Sequence, residues 1–289
     1  MNRTVLLTDT ATCLGREAAL ELGVGLVAGS FSIRDERQGD DERAWRAAYE
    51  RLRSGCELPR TFAPPERAFV EAMTGPARAG QPVLCLVTPF DVSPSFTTAS
   101  AAVLSVQDEL PESRIKVVNP GIGHAGLGAL LASLAGMAAA GASLDALLDA
   151  VEELGPACEA VVIPADTRWL EASGRLALVE ERLGTLDEDI PLLRIGTRVT
   201  GLGRASSHEV ALEAALGRLA GCAADGPVNA VVGHAAAPGL AEEAADRLRR
   251  KCAVDHLVVA ELPMTIGAIV GPGALAIGAA PAPKGGTDA

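Results

Sequence analysis

Apolar positions along this chain fall into short unbroken runs separated by stretches of helical spacing. Residues 5–7, 24–27, 83–87 and 115–118 read as short buried strands. Between them, residues 41–53 place Ala44, Trp45, Ala48 and Leu52 on one helical face. Residues 143–154 set Leu144, Leu147, Leu148 and Val151 at the same spacing, behind Ser143 as N-cap. Strand and helix in alternation predict a parallel sheet covered on both faces. A second series follows. It has strands at 160–163, 228–232 and 257–259, an edge or hairpin strand at 192–199, and helices at 175–183, 206–222 and 240–251. Ser206 with Glu209 at the third position forms a capping box for the 206–222 helix.

The predicted fold is therefore α/β in two domains. Residues 1–158 carry a mainly parallel sheet flanked by helices, and residues 159–289 a mixed sheet with helices. A frayed tail rich in Pro, Gly and Ala starts at about 280. The length of 289 residues agrees, at roughly 100–200 residues per domain.

Composition narrows the function. The formal charge of −12 argues against nucleic acid, whose binding draws on clustered Lys and Arg, and against an anionic membrane surface. Eight aromatic residues, 5 Phe, 2 Trp and 1 Tyr, are too few for a base-stacking platform. The six cysteines form no C-x-x-C pair and read as reduced thiols, mostly in the core. No basic and apolar export segment follows the first residue, so a cytoplasmic protein is expected. Residues 125–144 carry no charge, but they are mostly Ala, Gly, Leu and Ser, which suits a buried helix better than a membrane span.

Two motifs offer chemistry and lack their completing parts. Residues 121–126 match G-x-G-x-x-G at a strand-to-helix turn, the setting of a dinucleotide fingerprint. Asp145 and Asp149 lie at the distance of the acidic partner, but on a helix with no strand between. His208-Glu209 opens an H-E-x-x-H pattern that Leu212 leaves unfinished, so no metal site is expected. No G-x-S-x-G elbow and no phosphate-binding loop occurs. The segment 92–98 is more informative. Ser93 reads as an N-cap and Pro94 as the first residue of a helix running to about Leu110. Free N–H groups and hydroxyls at a helix N-terminus suit either ordinary capping or one small anionic group.

With this segment the chain resembles the DegV family of bacterial fatty-acid-binding proteins, nearly end to end. Thr8-Asp9-Thr10 is similar to that family's Thr-Asp-Ser, Arg60-Thr61-Phe62-Ala63-Pro64-Pro65 to its Lys-Thr-Ser-Gln-Pro-Ser, and Val92-Ser93-Pro94-Ser95-Phe96 to its Leu-Ser-Gly-Thr-Tyr. Asp166-Thr167 with Ser173-Gly174-Arg175-Leu176 resembles Asp-Thr and Gly-Gly-Arg-Ile, and Gly233-His234-Ala235 its His-Ala element. Residues 266–275 resemble the C-terminal Ile-Gly-Ala-His-Thr-Gly-Pro-Gly signature.

The resemblance implies two α/β domains with a lipid site between them and a non-catalytic role with no cofactor. It implies one long-chain fatty acid, handed to a separate ATP-dependent fatty acid kinase subunit that makes an acyl phosphate for phospholipid synthesis. It places Thr61 and Ser93 on the carboxylate. Phe62, Ser95, Phe96, Ile269 and Gly271 fall in the same binding motifs, and Arg175 and Arg204 match kinase-facing positions. Surface salt bridging is the competing reading of the two arginines. Neither nucleic acid nor stable membrane insertion is expected.

The chain departs from the pattern at three places. Ile269 replaces the signature histidine, Phe62-Ala63 replaces Ser-Gln, and Pro94 replaces a glycine and removes one N–H. Each change makes the polar end of the site less polar. The changes leave three alternatives: a shifted carboxylate, a different and less polar lipid, or a member that binds its ligand weakly or not at all or does not serve a kinase. The rival reading is a dinucleotide-dependent enzyme using the 121–126 turn.

Overall fold

The computed structural model describes residues 3–55 and 57–283; Cys56 and the tail from 284 onward lie outside the described residues. The first sheet has four parallel strands in the order β2 (Val24–Val27), β1 (Val5–Asp9), β6 (Val83–Leu86), β7 (Ile115–Val118). The second has six, in the order β10 (Val199–Ala205), β9 (Ile190–Ile195), β8 (Glu159–Ile163), β13 (Leu275–Pro281), β11 (Val228–His234), β12 (Val254–Glu261). It is mixed: β11 and β12 run parallel and every other neighbouring pair antiparallel. A small antiparallel sheet, β4 (Glu36–Gly39), β3 (Ser30–Ile33), β5 (Arg60–Phe62), accompanies the first. The α/β class with one parallel and one mixed sheet is the fold expected from the alternation.

Side-chain alternation builds the layers. On the parallel sheet, Leu7, Val83, Cys85 and Val87 face α3 (Glu66–Arg78) and α4 (Ser95–Glu109). Leu6, Leu84 and Leu86 face the opposite way, into the core shared with α2 (Glu42–Arg53) and α5 (His124–Ala139). On the mixed sheet, Val161, Ile163, Val228, Ala230, Val232 and Ile277 meet α9 (His208–Gly221) and α10 (Pro238–Lys251). On its other face, Ala160, Val162, Leu193, Ile195 and Val231 join the core shared with α5.

Helix α5 thus lies between the two sheets. It packs on β13, β11 and β8 and reaches β1 on its other side, which explains why it is apolar all round. Among the described residues no helix is long and apolar enough to cross a membrane. The remaining helices are α1 (Gly15–Glu21), α6 (Leu144–Leu154), α7 (Thr167–Ala172), α8 (Leu176–Leu183) and α11 (Met264–Val270).

Several local expectations need correction. The 192–199 strand is two strands: β9 and β10 form a hairpin with a register shift between Gly201 and Gly203. Ser207, not Ser206, caps α9, because it has the extended backbone of a cap and its Oγ accepts the Val210 N–H at 3.3 Å. Helix α4 starts at Ser95, with Pro94 in the cap position rather than inside the first turn. Ser93 Oγ still accepts the Ser95 N–H, at 3.3 Å. Ala280 and Pro281 belong to β13 and do not fray, since β13 is held between β8 and β11. Ser143 caps α6 as expected, accepting the Ala146 N–H at 3.1 Å.

Candidate functional site

Three element ends meet at the carboxyl edge of the parallel sheet, where open α/β sheets bind ligands. Strand β1 ends at Asp9, the chain leaving β6 reaches Thr88, and α4 begins at Ser95. Beside them β5 supplies Thr61. The Thr98 hydroxyl donates to the Pro64 carbonyl at 3.0 Å, which ties α4 to the segment after β5. Opposite stand Val162 from β8, Leu193 and Ile195 from β9, and Leu170 and Val179 from α7 and α8. Helix α11 adds Ile266, Ile269 and Val270. These walls enclose a cavity of about 1020 Å³. That is at the upper end of small-molecule sites, which span roughly 300–1,000 Å³.

Two of the hydroxyls in the wall lie together. Ser93 Oγ and Ser95 Oγ lie 3.0 Å apart, with Ser95 buried and Ser93 partly exposed. Asp9, 1% exposed, accepts from the Ala11 N–H at 2.9 Å and from the Thr88 hydroxyl at 3.5 Å, both on Oδ1. Burial raises its carboxyl above the ordinary range, against the opposing pull of Ser95 and of the Ala11 and Thr88 backbones.

His124, the first residue of α5, also lines the cavity. Its Nδ1 lies 3.2 Å from the Ala11 carbonyl. Burial lowers the imidazole to about 4, so the ring is neutral at pH 7. Donation from Nδ1 then leaves Nε2 as an acceptor.

Asp40 organises the neighbourhood without lining the cavity. Its Oδ1 accepts from Trp45 Nε1 at 2.6 Å and from the Met264 N–H at 2.9 Å. Its Oδ2 accepts the Thr10 and Thr265 hydroxyls, each at 3.0 Å. The Met264 bond fixes the start of α11, and so places Ile266 and Ile269 in the cavity wall.

The structure brings together Thr61, Phe62, Ser93, Ser95, Ile269 and Arg175 around this cavity. Phe62 is exposed at the rim, with the Arg37 guanidinium 4.5 Å above its ring. Arg175 is exposed and donates to the Ser173 carbonyl at 3.0 Å. Three expected positions stand apart. Phe96 packs toward the α3–α4 core. Gly271 closes α11 at φ +80° against the Trp169 ring, where a Cβ would lie 2.3 Å from Trp169 Cδ1. Arg204 pairs with Asp189 at 3.3 Å and donates to the Thr185 carbonyl at 2.9 Å. Asp9, Thr88, His124 and Thr265 join the site without a sequence signal for that role, apart from the Thr8-Asp9-Thr10 motif that hints at the first.

The 121–126 turn is used for packing. The Gly123 N–H donates to the Ile195 carbonyl at 2.9 Å, and a Cβ on Gly126 would lie 2.8 Å from Ala160 Cβ. Among the described residues no group of three His, Cys, Asp or Glu could hold a metal ion.

Comparison with known proteins gives a consistent result. A profile described as an uncharacterised protein of the DegV family matches residues 3–282. A DegV domain-containing protein of Clostridium acetobutylicum is 24% identical over 274 residues, 94% of this chain and 95% of that one. A Thermus thermophilus structure, described as fatty acid binding of a DegV family protein, superposes with a TM-score of 0.81 at 24% identity, over 96% of this chain and 99% of that one. DegV of Bacillus subtilis, described as a fatty acid binding protein, gives a TM-score of 0.81 at 20% identity, over 97% and 99%.

Proposed function

The chain belongs to the DegV family, and from that premise we propose that it is a cytoplasmic, non-catalytic carrier of one long-chain fatty acid. It presents the carboxylate to a separate ATP-dependent kinase subunit for acyl phosphate formation. The observation that carries this reading is a cavity wall that combines the hydroxyls of Thr61, Ser93 and Ser95 with aliphatic side chains of β8, β9 and α11, and with Arg37, Arg175, Arg182 and Arg198. An acyl tail gains about 0.8 kcal/mol per buried CH₂, so the tail supplies most of the affinity. The carboxylate needs hydrogen-bond donors, since burying it bare is costly. Thr61 and Ser93 are the proposed donors. Residues 1–158 and 159–289 are the proposed domains, and Arg175 and Arg204 the proposed kinase-facing residues.

Native mass spectrometry of the purified protein, followed by lipid extraction, tests the carrier. One fatty acid per chain is expected. An unliganded mass with no uptake of added fatty acids would remove the reading and favour a family member that has lost lipid binding. Thr61→Ala with Ser93→Ala should weaken fatty-acid binding at least about tenfold, because a hydrogen bond to a charged group contributes about 1.5–3 kcal/mol. Unchanged affinity in that double variant would remove the anchor assignment.

A further inference from the structure

We propose that Arg37, held over Phe62 at the rim of the cavity, is the positively charged partner of the ligand's carboxylate. This inference rests on the fatty-acid reading above. Arg37 lies on β4 and lines the cavity. Its Nε and Nη2 both donate to Ser30 Oγ, at 3.0 and 2.9 Å. Its Cζ stands 4.5 Å from the centre of the Phe62 ring, and Phe62 follows Thr61 on β5. Ser30 and Phe62 thus hold the guanidinium in one orientation at an exposed place, where an arginine side chain otherwise samples many rotamers. Two of its five N–H donors are used. The Nη1–Nη2 edge is left open, and that edge is a fork that can grip a carboxylate with two bonds. Arg37 forms no ion pair among the described residues.

The other charged groups of the wall leave this part to Arg37. Arg175 donates to the Ser173 carbonyl at 3.0 Å. Arg182, in the last turn of α8, follows Glu181, which lines the same cavity. Arg198 stands in the turn between β9 and β10, and no side-chain hydrogen bond fixes it or Arg182 among the described residues. These three arginines belong to the part of the chain after residue 158, whereas Arg37 belongs to the small sheet that also carries Thr61. Of the remaining carboxylates in the wall, Asp9 is buried and Asp91 exposed, and neither pairs with Arg37. The hydroxyls proposed as anchors serve a carboxylate or an alcohol alike. The side chains of Phe62 and Ile269 offer no N–H or O–H donor. A fixed guanidinium supplies what they lack, a preference for the anion.

The experiment measures affinity of the delipidated protein for hexadecanoate and hexadecan-1-ol at about 50 mM salt, where exposed charges are weakly screened. Arg37→Gln should weaken hexadecanoate binding about three- to fivefold, the upper range for an exposed ion pair, and change hexadecanol binding less than about twofold. At about 1 M salt the variant and the wild type should converge on hexadecanoate. Arg182→Gln removes the same charge from the same wall and should weaken hexadecanoate binding less. Ser30 lies outside the wall, so Ser30→Ala acts only by releasing the guanidinium. It should reproduce part of the Arg37→Gln loss and add nothing in the Arg37→Gln background. Equal losses for acid and alcohol, equal losses in Arg37→Gln and Arg182→Gln, or no loss in Arg37→Gln would overturn the proposal and leave the carrier reading standing. No binding of either lipid by the wild type overturns both.

Discussion

At the scale of single residues, Asp40 carries the most. Four donors converge on it, two of them N–H groups that cannot turn away. Asp40→Ala would orphan the Trp45 and Met264 N–H groups inside the protein, at about 1–3 kcal/mol each. A loss of about 3 kcal/mol or more in urea unfolding is expected. Asp40→Asn should cost less, because its amide oxygen can face the two N–H groups while the Thr10 and Thr265 hydroxyls rotate to accept from its NH₂. Equal losses in the two variants would contradict this account. Asp40 also shows why the site is only partly legible in the sequence. Thr61, Ser93, Ser95 and Ile269 sit in local motifs that a sequence displays. Asp9, Thr88, His124 and Thr265 are ends of separate elements, and only the folded chain brings them together.

At the scale of elements, long strongly patterned segments can be read and weakly patterned ones cannot. Helices α2 and α6 follow their apolar faces and their caps. The small sheet gives no such signal, because β3, β4 and β5 are three or four residues long and largely polar. Strand β13 escapes for another reason: its Ala and Gly residues suit the close approach of α5 and give no strong strand signal. Gly278 marks the contact. A Cβ there would lie 2.2 Å from the Ala125 carbonyl carbon and the Gly126 nitrogen, both backbone atoms that cannot move aside alone. Overpacking a core costs about 1–3 kcal/mol, occasionally more. Gly278→Ala should reach or pass the top of that range and lower the thermal midpoint by several degrees in calorimetry. A wild-type midpoint would mean that α5 can shift away from β13 at little cost.

At the scale of the molecule, the strands separate along the chain and the helices do not. Every strand of the parallel sheet precedes residue 119 and every strand of the mixed sheet follows residue 158, yet α5 packs between them and α11 returns to the small sheet. The Tyr49 hydroxyl, on α2, donates to the Leu262 carbonyl at 2.8 Å across that division. The cavity has the same composite character, with Thr61 and Ser93 from the first part and Val162, Leu193 and Ile269 from the second. A ligand filling it would touch both parts at once and should stabilise the whole protein rather than one part. At a free ligand concentration of 100 times Kd the gain is about 2.7 kcal/mol. At about 2–4 °C per kcal/mol for a chain somewhat smaller than this one, the delipidated protein should gain at least about 4 °C on adding a saturating fatty acid. The unfolding transition should move as one unit, and the shift should grow with tail length until the cavity is filled. A shift insensitive to tail length would place the lipid on the surface, and a transition that split in two would mean that the cavity does not join the two parts.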